Sequence, residues 1–152
     1  MPRKRIYFHN EKYFDSIDIN NSYWAGFIAA DGCISNNSLI IELKSDDRTH
    51  IQKFKEAIEF TGNIRDILIR HGDKTYFHNR IDIGHANQVV HNLKEKFNIT
   101  PKKSLTLKPP NLYDKNFVRS FIRGYMDGDG SIWFYKDNKH PPTLSFIGTN
   151  EI

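Results

Sequence analysis

The sequence predicts an α+β domain ordered helix, hairpin, helix, hairpin, helix, with the same pattern begun again near its end. Three observations predict it. Apolar residues recur at helical spacing in some segments and alternate with polar ones in others. Turn signals separate the alternating segments. One stretch also returns: Ser22–Ile34, SYWAGFIAADGCI, aligns without a gap with Ser120–Ile132, SFIRGYMDGDGSI. Ser, Gly, Asp, Gly and Ile are identical, at a constant offset of 98 residues (31 to 129). Self-similarity of this kind marks a recurring structural unit.

Residues 1–19 read as an irregular lead-in, with KYFDSIDI docking as a short segment. Ser22 is the expected cap of a helix from Tyr23 to about Ala30, stopped by Asp31-Gly32. CIS and SLIIELK flank Asn36-Asn37, a tight hairpin signal. In the second strand Leu39, Ile41 and Leu43 share one face, opposite Glu42 and Lys44. SDDRTHIQKFKEAIEFTG predicts a helix capped at Ser45 and ended at Gly62. NIRDILIR, HGDK and TYFHNRIDI read as a second hairpin. Tyr76, His78, Arg80 and Asp82 alternate there with Phe77, Asn79, Ile81 and Ile83. HANQVVHNLKEKF predicts a helix, NITPKKSLTLKPPN a loop, and DKNFVRSFIRGYM another helix. Strands at SIWFY and TLSFI follow, joined by KDNKHPP. The expected core is Ile28, Leu39, Ile41, Leu43, Phe54, Ile58, Ile81 and Val90.

Composition narrows the class. A chain of 152 residues, 38% hydrophobic and 26% charged, supplies a real core and argues against disorder. No apolar run is long enough to cross a bilayer. The start, MPRKRIYFHNEKYF, is basic without an apolar stretch behind it and is not a secretory signal. The single Cys33 excludes an internal disulfide framework, and the seven histidines lack the spacing of a zinc site. A net charge of +4 and a pI near 9.1 favour a polyanionic partner, nucleic acid first. Basic residues cluster at Pro2–Arg5 and Pro101–Lys108.

Against this background GYMDGDGSIWF, Gly124–Phe134, is unusual: Asp127 and Asp129 sit in an apolar, aromatic setting that must compensate them. Trp24–Gly32 and Ile122–Gly130 each resemble the nine-residue motif of the LAGLIDADG homing endonucleases, and the resemblance covers most of residues 20–152. It implies that fold, an αββαββα repeat with a mixed or antiparallel, saddle-shaped sheet. The organisation expected is a lead-in over 1–19, a first repeat over 20–116 and the start of a second over 117–152.

The resemblance also implies that the two motif helices pack together through Gly26, Ala29, Ala30, Gly124 and Gly128. Asp31 and Asp129 would then hold divalent cations, Mg²⁺ or another such as Mn²⁺, beside a scissile phosphate of double-stranded DNA. Lys103 would act near that centre. Lys102 is the alternative, and a plain phosphate contact suits either. Asp127, whose counterpart is Ala29, is expected to be structural. Glu42, Lys44, Tyr76, His78 and Arg80 would face the duplex as base readers, with Lys102 as a backbone contact. The function implied is site-specific double-strand cleavage. A non-cleaving DNA- or RNA-binding relative, such as a splicing maturase or regulator, is the alternative, and a basic protein-interaction domain a third. The expected setting is a bacterial or phage-infected cytoplasm, near the nucleoid, or an organelle matrix, with no membrane partner. Intron and intein are both open as host elements.

Only 23 residues follow Asp129, whereas the first repeat uses more than 80 between its motif and the next. The second repeat is therefore expected to lack its later helices and to leave Trp133, Phe134 and Phe146 partly exposed. With a completed second repeat the protein would be a monomer; without one, the exposed half would drive association. The chain by itself is expected to cut DNA poorly, and an extension of roughly 60–80 residues, a repeat's worth, to restore activity.

Overall fold

The structure, a computed structural model, describes residues 7–136 and 139–150. Helix α1 spans Ile19–Asp31, followed by strands β1, Gly32–Ile34, and β2, Ser38–Lys44. A 3-10 turn over Ser45–Asp47 leads into α2, Arg48–Ala57. Strands β3, Arg65–His71, and β4, Lys74–Gly84, form the second hairpin, and α3 spans Asn87–Phe97. A single turn of helix, α4, Lys103–Thr106, precedes α5, Lys115–Asp129. Strands β5, Ser131–Trp133, and β6, Thr143–Ser145, close the chain. The expected αββαββα order is the order observed, and the fold class is α+β.

Strands β1, β2, β4 and β3 lie side by side in that order, antiparallel throughout. The register sets Leu39 against Ile83 and Ile41 against Ile81, so one face of the sheet is a continuous aliphatic surface. Those four side chains are fully buried, together with Phe54 and Ile58 at the end of α2 and Val89, Leu93 and Phe97 of α3. Each apolar side chain taken out of water there contributes about 1.5–3 kcal/mol. The lead-in joins this core: Phe14 is fully buried with its ring edge-on to Phe97. Of the expected core residues, Leu43 is only partly buried, near the open end of β2.

Several local expectations are corrected. Helix α1 begins one turn earlier than Tyr23. Asp18, not Ser22, caps it: the Asp18 carboxylate accepts from Asn21 N, and the Asn21 side chain accepts from Asp18 N. This is a reciprocal capping box closed by Asn rather than Glu or Gln. Ser22 is buried inside the helix. Gly32 is extended, with φ −73°, so it is not a left-handed stop; a Cβ there would lie 2.7 Å from Ile28 O.

Ser45 caps no helix, because the 3-10 turn intervenes. Helix α2 ends at Ala57, short of Gly62, as Glu59 turns left-handed at φ 55°. The loop expected over 98–111 contains α4, entered through a left-handed Lys102. Phe77 shares the parity of Ile81 and Ile83 yet is largely exposed, because its end of the hairpin runs past the covering helices.

The second motif sits differently. Strands β5 and β6 are three residues each, pair only with one another and are exposed throughout. Trp133, Phe134 and Phe146 are exposed, as expected. Among the described residues no helix is long and apolar enough to cross a membrane.

Candidate functional site

The site lies where α1 and α5 end. Their contacts run in step along the chain. A Cβ on Gly26 would be driven into the backbone of Phe121, one on Gly124 into that of Tyr23, and one on Gly128 to 2.5 Å from the Ala30 methyl. The helices are therefore parallel and backbone-close, and only residues without a Cβ permit the crossing at Gly26 and Gly124. Ala29 and Ala30 are buried on the same seam. At its far end Ser120 Oγ donates to Ile19 O at 2.6 Å.

Parallel helices of matched register deliver their last residues to one place. Asp31 Oδ2 lies 3.4 Å from the position a Gly128 Cβ would take, directly beside the residue that precedes Asp129. Burial raises the Asp31 carboxyl above its ordinary value, Asp129 raises it further, Lys103 opposes them and Asp47 adds to the rise. Both helices also turn their negative dipole ends here, and neither carries a basic residue in its last turn. Two carboxylates over two helix C-termini make a locally anionic spot that favours a cation.

Lys103 is the nearest compensation. Its Nζ donates to Ala30 O at 2.6 Å. Burial lowers its ammonium from the usual lysine value, while Asp129, Asp31 and Cys33 pull it back up. An ammonium has three N–H donors, and the Ala30 carbonyl takes one. Lys102 is exposed.

The outer face of the sheet brings other sequence-selected residues together. Glu42 is register-paired with Arg80 and Lys44 with His78. The charges on this face are mutually engaged. Arg80 Nη2 donates to Asp82 at 2.7 Å and its Nη1 to Glu42 at 3.5 Å, while His78 Nδ1 lies 3.0 Å from Glu42. Arg65 of β3 closes the network on Asp82. Lys44 and Tyr76 are exposed beyond it. The parity pattern selected Glu42, His78 and Arg80; Arg65 and the bridging role of Asp82 needed the register.

Asp127 reaches back across the helix pair: Tyr23 donates its hydroxyl to Asp127 Oδ2 at 2.6 Å. His50 Nε2 lies 3.3 Å from the same hydroxyl oxygen. Neither Tyr23 nor His50 carried any signal in the sequence, since 104 residues separate Tyr23 from Asp127.

The residues present fit a small hard cation. Mg²⁺ takes oxygen ligands, needs few protein carboxylates and fills its other positions with water or phosphate. Asp31 and Asp129 supply such oxygens. Among the described residues no group of three or more His, Cys, Asp or Glu side chains offers a complete protein cage.

No protein-family model matches the chain, and no curated protein sequence is similar to it. Among solved structures it is similar to the I-LtrWI LAGLIDADG homing endonuclease bound to target DNA. The two are 14% identical, with a TM-score of 0.39; the likeness covers 89% of this chain and 65% of that one.

Proposed function

We propose that the chain belongs to the LAGLIDADG homing endonucleases and is a metal-dependent, site-specific DNA endonuclease. One observation carries this reading: two sequence-repeated helices, packed through glycines, bring Asp31 and Asp129 to a common anionic spot with Lys103 beside it. A structural Asp-Gly helix ending explains neither the convergence nor the lysine. The basic net charge suits a DNA partner.

Asp31 and Asp129 are the residues to hold divalent cations, Mg²⁺ or Mn²⁺. A cation bound there supplies Lewis acidity and lowers the pKa of a bound water. The chain's own groups do the rest. The paired helix ends fix both carboxylates relative to one another. Lys103 offers N–H donors to a phosphate oxygen whose charge grows as water adds to phosphorus and the bond to one sugar oxygen breaks. The outer sheet face, with Lys44 and Tyr76 exposed and Glu42, His78 and Arg80 on the same face by parity, is the surface for the duplex, with Lys102 as a separate backbone contact. Its charged groups exchange partners with base edges there.

The test is a selection from a random duplex library, with the chain in excess and Mg²⁺ present. Slow, metal-dependent scission at a recurrent sequence is expected from the wild type, and none from the Asp31→Asn plus Asp129→Asn variant. Cleavage retained in the double variant would sink the mechanism. Salt-sensitive binding without scission would instead favour the non-cleaving alternative.

A further inference from the structure

We propose that Tyr23, Asp127 and His50 form a one-sided clasp that fixes the last turn of α5 and so positions Asp129 opposite Asp31. The inference rests on the cleavage reading above for its consequence, and on independent geometry for the clasp itself.

The two motif helices need different supports. The end of α1 is inside the protein: Ile28, Ala29 and Ala30 are buried, and the Ala30 carbonyl is held by Lys103. The end of α5 has no such cover. Asp127 and Asp129 are exposed, and strands β5 and β6 that follow are exposed throughout. A helix end with few buried contacts frays. On the opposite side Tyr125 is held by its hydroxyl's bond to Ile147 O; the Tyr23 hydroxyl supplies the tie to α1, bonding Asp127 across the seam at 2.6 Å.

The tie is well anchored on its own side. The Tyr23 ring meets Trp24 edge-on at 5.1 Å and His50 at 6.1 Å, and the Arg123 guanidinium lies 5.8 Å from its centre. His50 is wedged against Phe27 at 4.5 Å and Trp24 at 5.0 Å. A phenol has one proton, and Asp127 receives it. The His50 contact at 3.3 Å therefore requires Nε2–H to donate to the phenolic oxygen. The chain runs from α2 through His50 and Tyr23 of α1 to Asp127 of α5.

The repeat shows why the clasp is one-sided. At the offset of 98, Tyr23 corresponds to Phe121 and Asp127 to Ala29. Phe121 has no hydroxyl and instead stacks on Phe97 in the core, 6.3 Å apart and 6° from parallel. The reciprocal bond cannot form, and the buried end of α1 does not need it. Asp127 is thus a positioning residue that acts through its neighbour.

The experiment uses the duplex recovered by the library selection, Mg²⁺, three single variants and the double variant of the first two. Tyr23→Phe removes the donor, Asp127→Ala the acceptor, and Asp127→Asn keeps an acceptor without the charge. Small misplacement of a reacting group costs about tenfold to a hundredfold in rate. Tyr23→Phe and Asp127→Ala are each expected to slow single-turnover cleavage about tenfold with duplex affinity kept, and the pair together no more than either alone. Asp127→Asn is expected to recover most of the rate, since its carbonyl oxygen still accepts from Tyr23 whereas Ala offers no acceptor.

Amide exchange at Gly128–Gly130, measured by NMR without metal or DNA, should quicken in Tyr23→Phe and Asp127→Ala and not in Asp127→Asn. Unchanged exchange, or Asp127→Asn as slow a cutter as Asp127→Ala, would overturn the clasp. If the wild type cuts no duplex, the cleavage reading fails and the exchange pattern alone decides the clasp.

Discussion

Ile34 and Ile132 occupy the same place in the two motif copies, and they live in different environments. Each follows the last residue of its helix by three places, after a glycine and one further residue, and lies in the short strand that follows the helix. Ile34 is 6% exposed and Ile132 is 58% exposed. Trp24 and its counterpart Ile122 differ in the same way, at 7% and 51%. Local sequence sets the helix, its glycine and the turn into a strand. Burial is set by what comes to lie on top. On the first motif a four-stranded sheet and helices α2 and α3 do so. On the second, Val118, Ile122, Met126 and Phe146 line an apolar cleft of about 250 Å³. The site spans this joint, with one carboxylate on the covered helix and one on the uncovered helix.

The largest effect should come from the seam that both halves share. Gly26→Leu or Gly124→Leu places a side chain where the partner backbone already stands, and a cost of about 3 kcal/mol or more is expected in urea denaturation. Near-neutral behaviour would mean that the helices are not in backbone contact. The matched pair Ile34→Ala and Ile132→Ala then separates the halves directly. A cost of about 2–4 kcal/mol is expected for the first and less than about 0.5 kcal/mol for the second. Equal costs would abolish the comparison.

The uncovered face should also be sticky. Ile122→Lys with Trp133→Lys is expected to weaken self-association in sedimentation by about tenfold or more, because both side chains are exposed in an apolar patch. The smallest effect concerns charge. With its carboxyl raised by burial and by Asp129, Asp31 keeps its proton to higher pH in the folded chain than in the unfolded one. Its ionisation therefore subtracts stability as pH rises from the ordinary carboxylate value through the raised one. In metal-free buffer Asp31→Asn should flatten that fall and gain modestly above it. An unchanged pH slope would contradict the assignment.

The element order was legible because periodicity and the repeat are local signals. Strand parity alone placed Leu39, Ile41 and Ile81 in the core. The start of α1 was misjudged because Ser22 reads as a cap, whereas Asp18, one turn earlier, takes that place. The choice rested on the Asn21 side chain, which closes the box on Asp18. The turn of α4 was hidden by prolines on either side of it. In the site, the repeat singled out Asp31 and Asp129 as equivalent positions, and the resemblance implied the seam residues that bring them together. Lys103 was narrowed to two neighbours, and the left-handed Lys102 turns the next side chain inward. Tyr23 and His50 were not legible, since their roles arise only when distant segments meet.

The unequal halves are tested most directly by hydrogen exchange on the wild-type monomer. Strong protection is expected across 38–98, where the sheet is covered, and fast exchange across 131–147, where strands β5 and β6 are exposed and pair only with each other. Protection extending uniformly through Ile147 in the monomer would contradict the account.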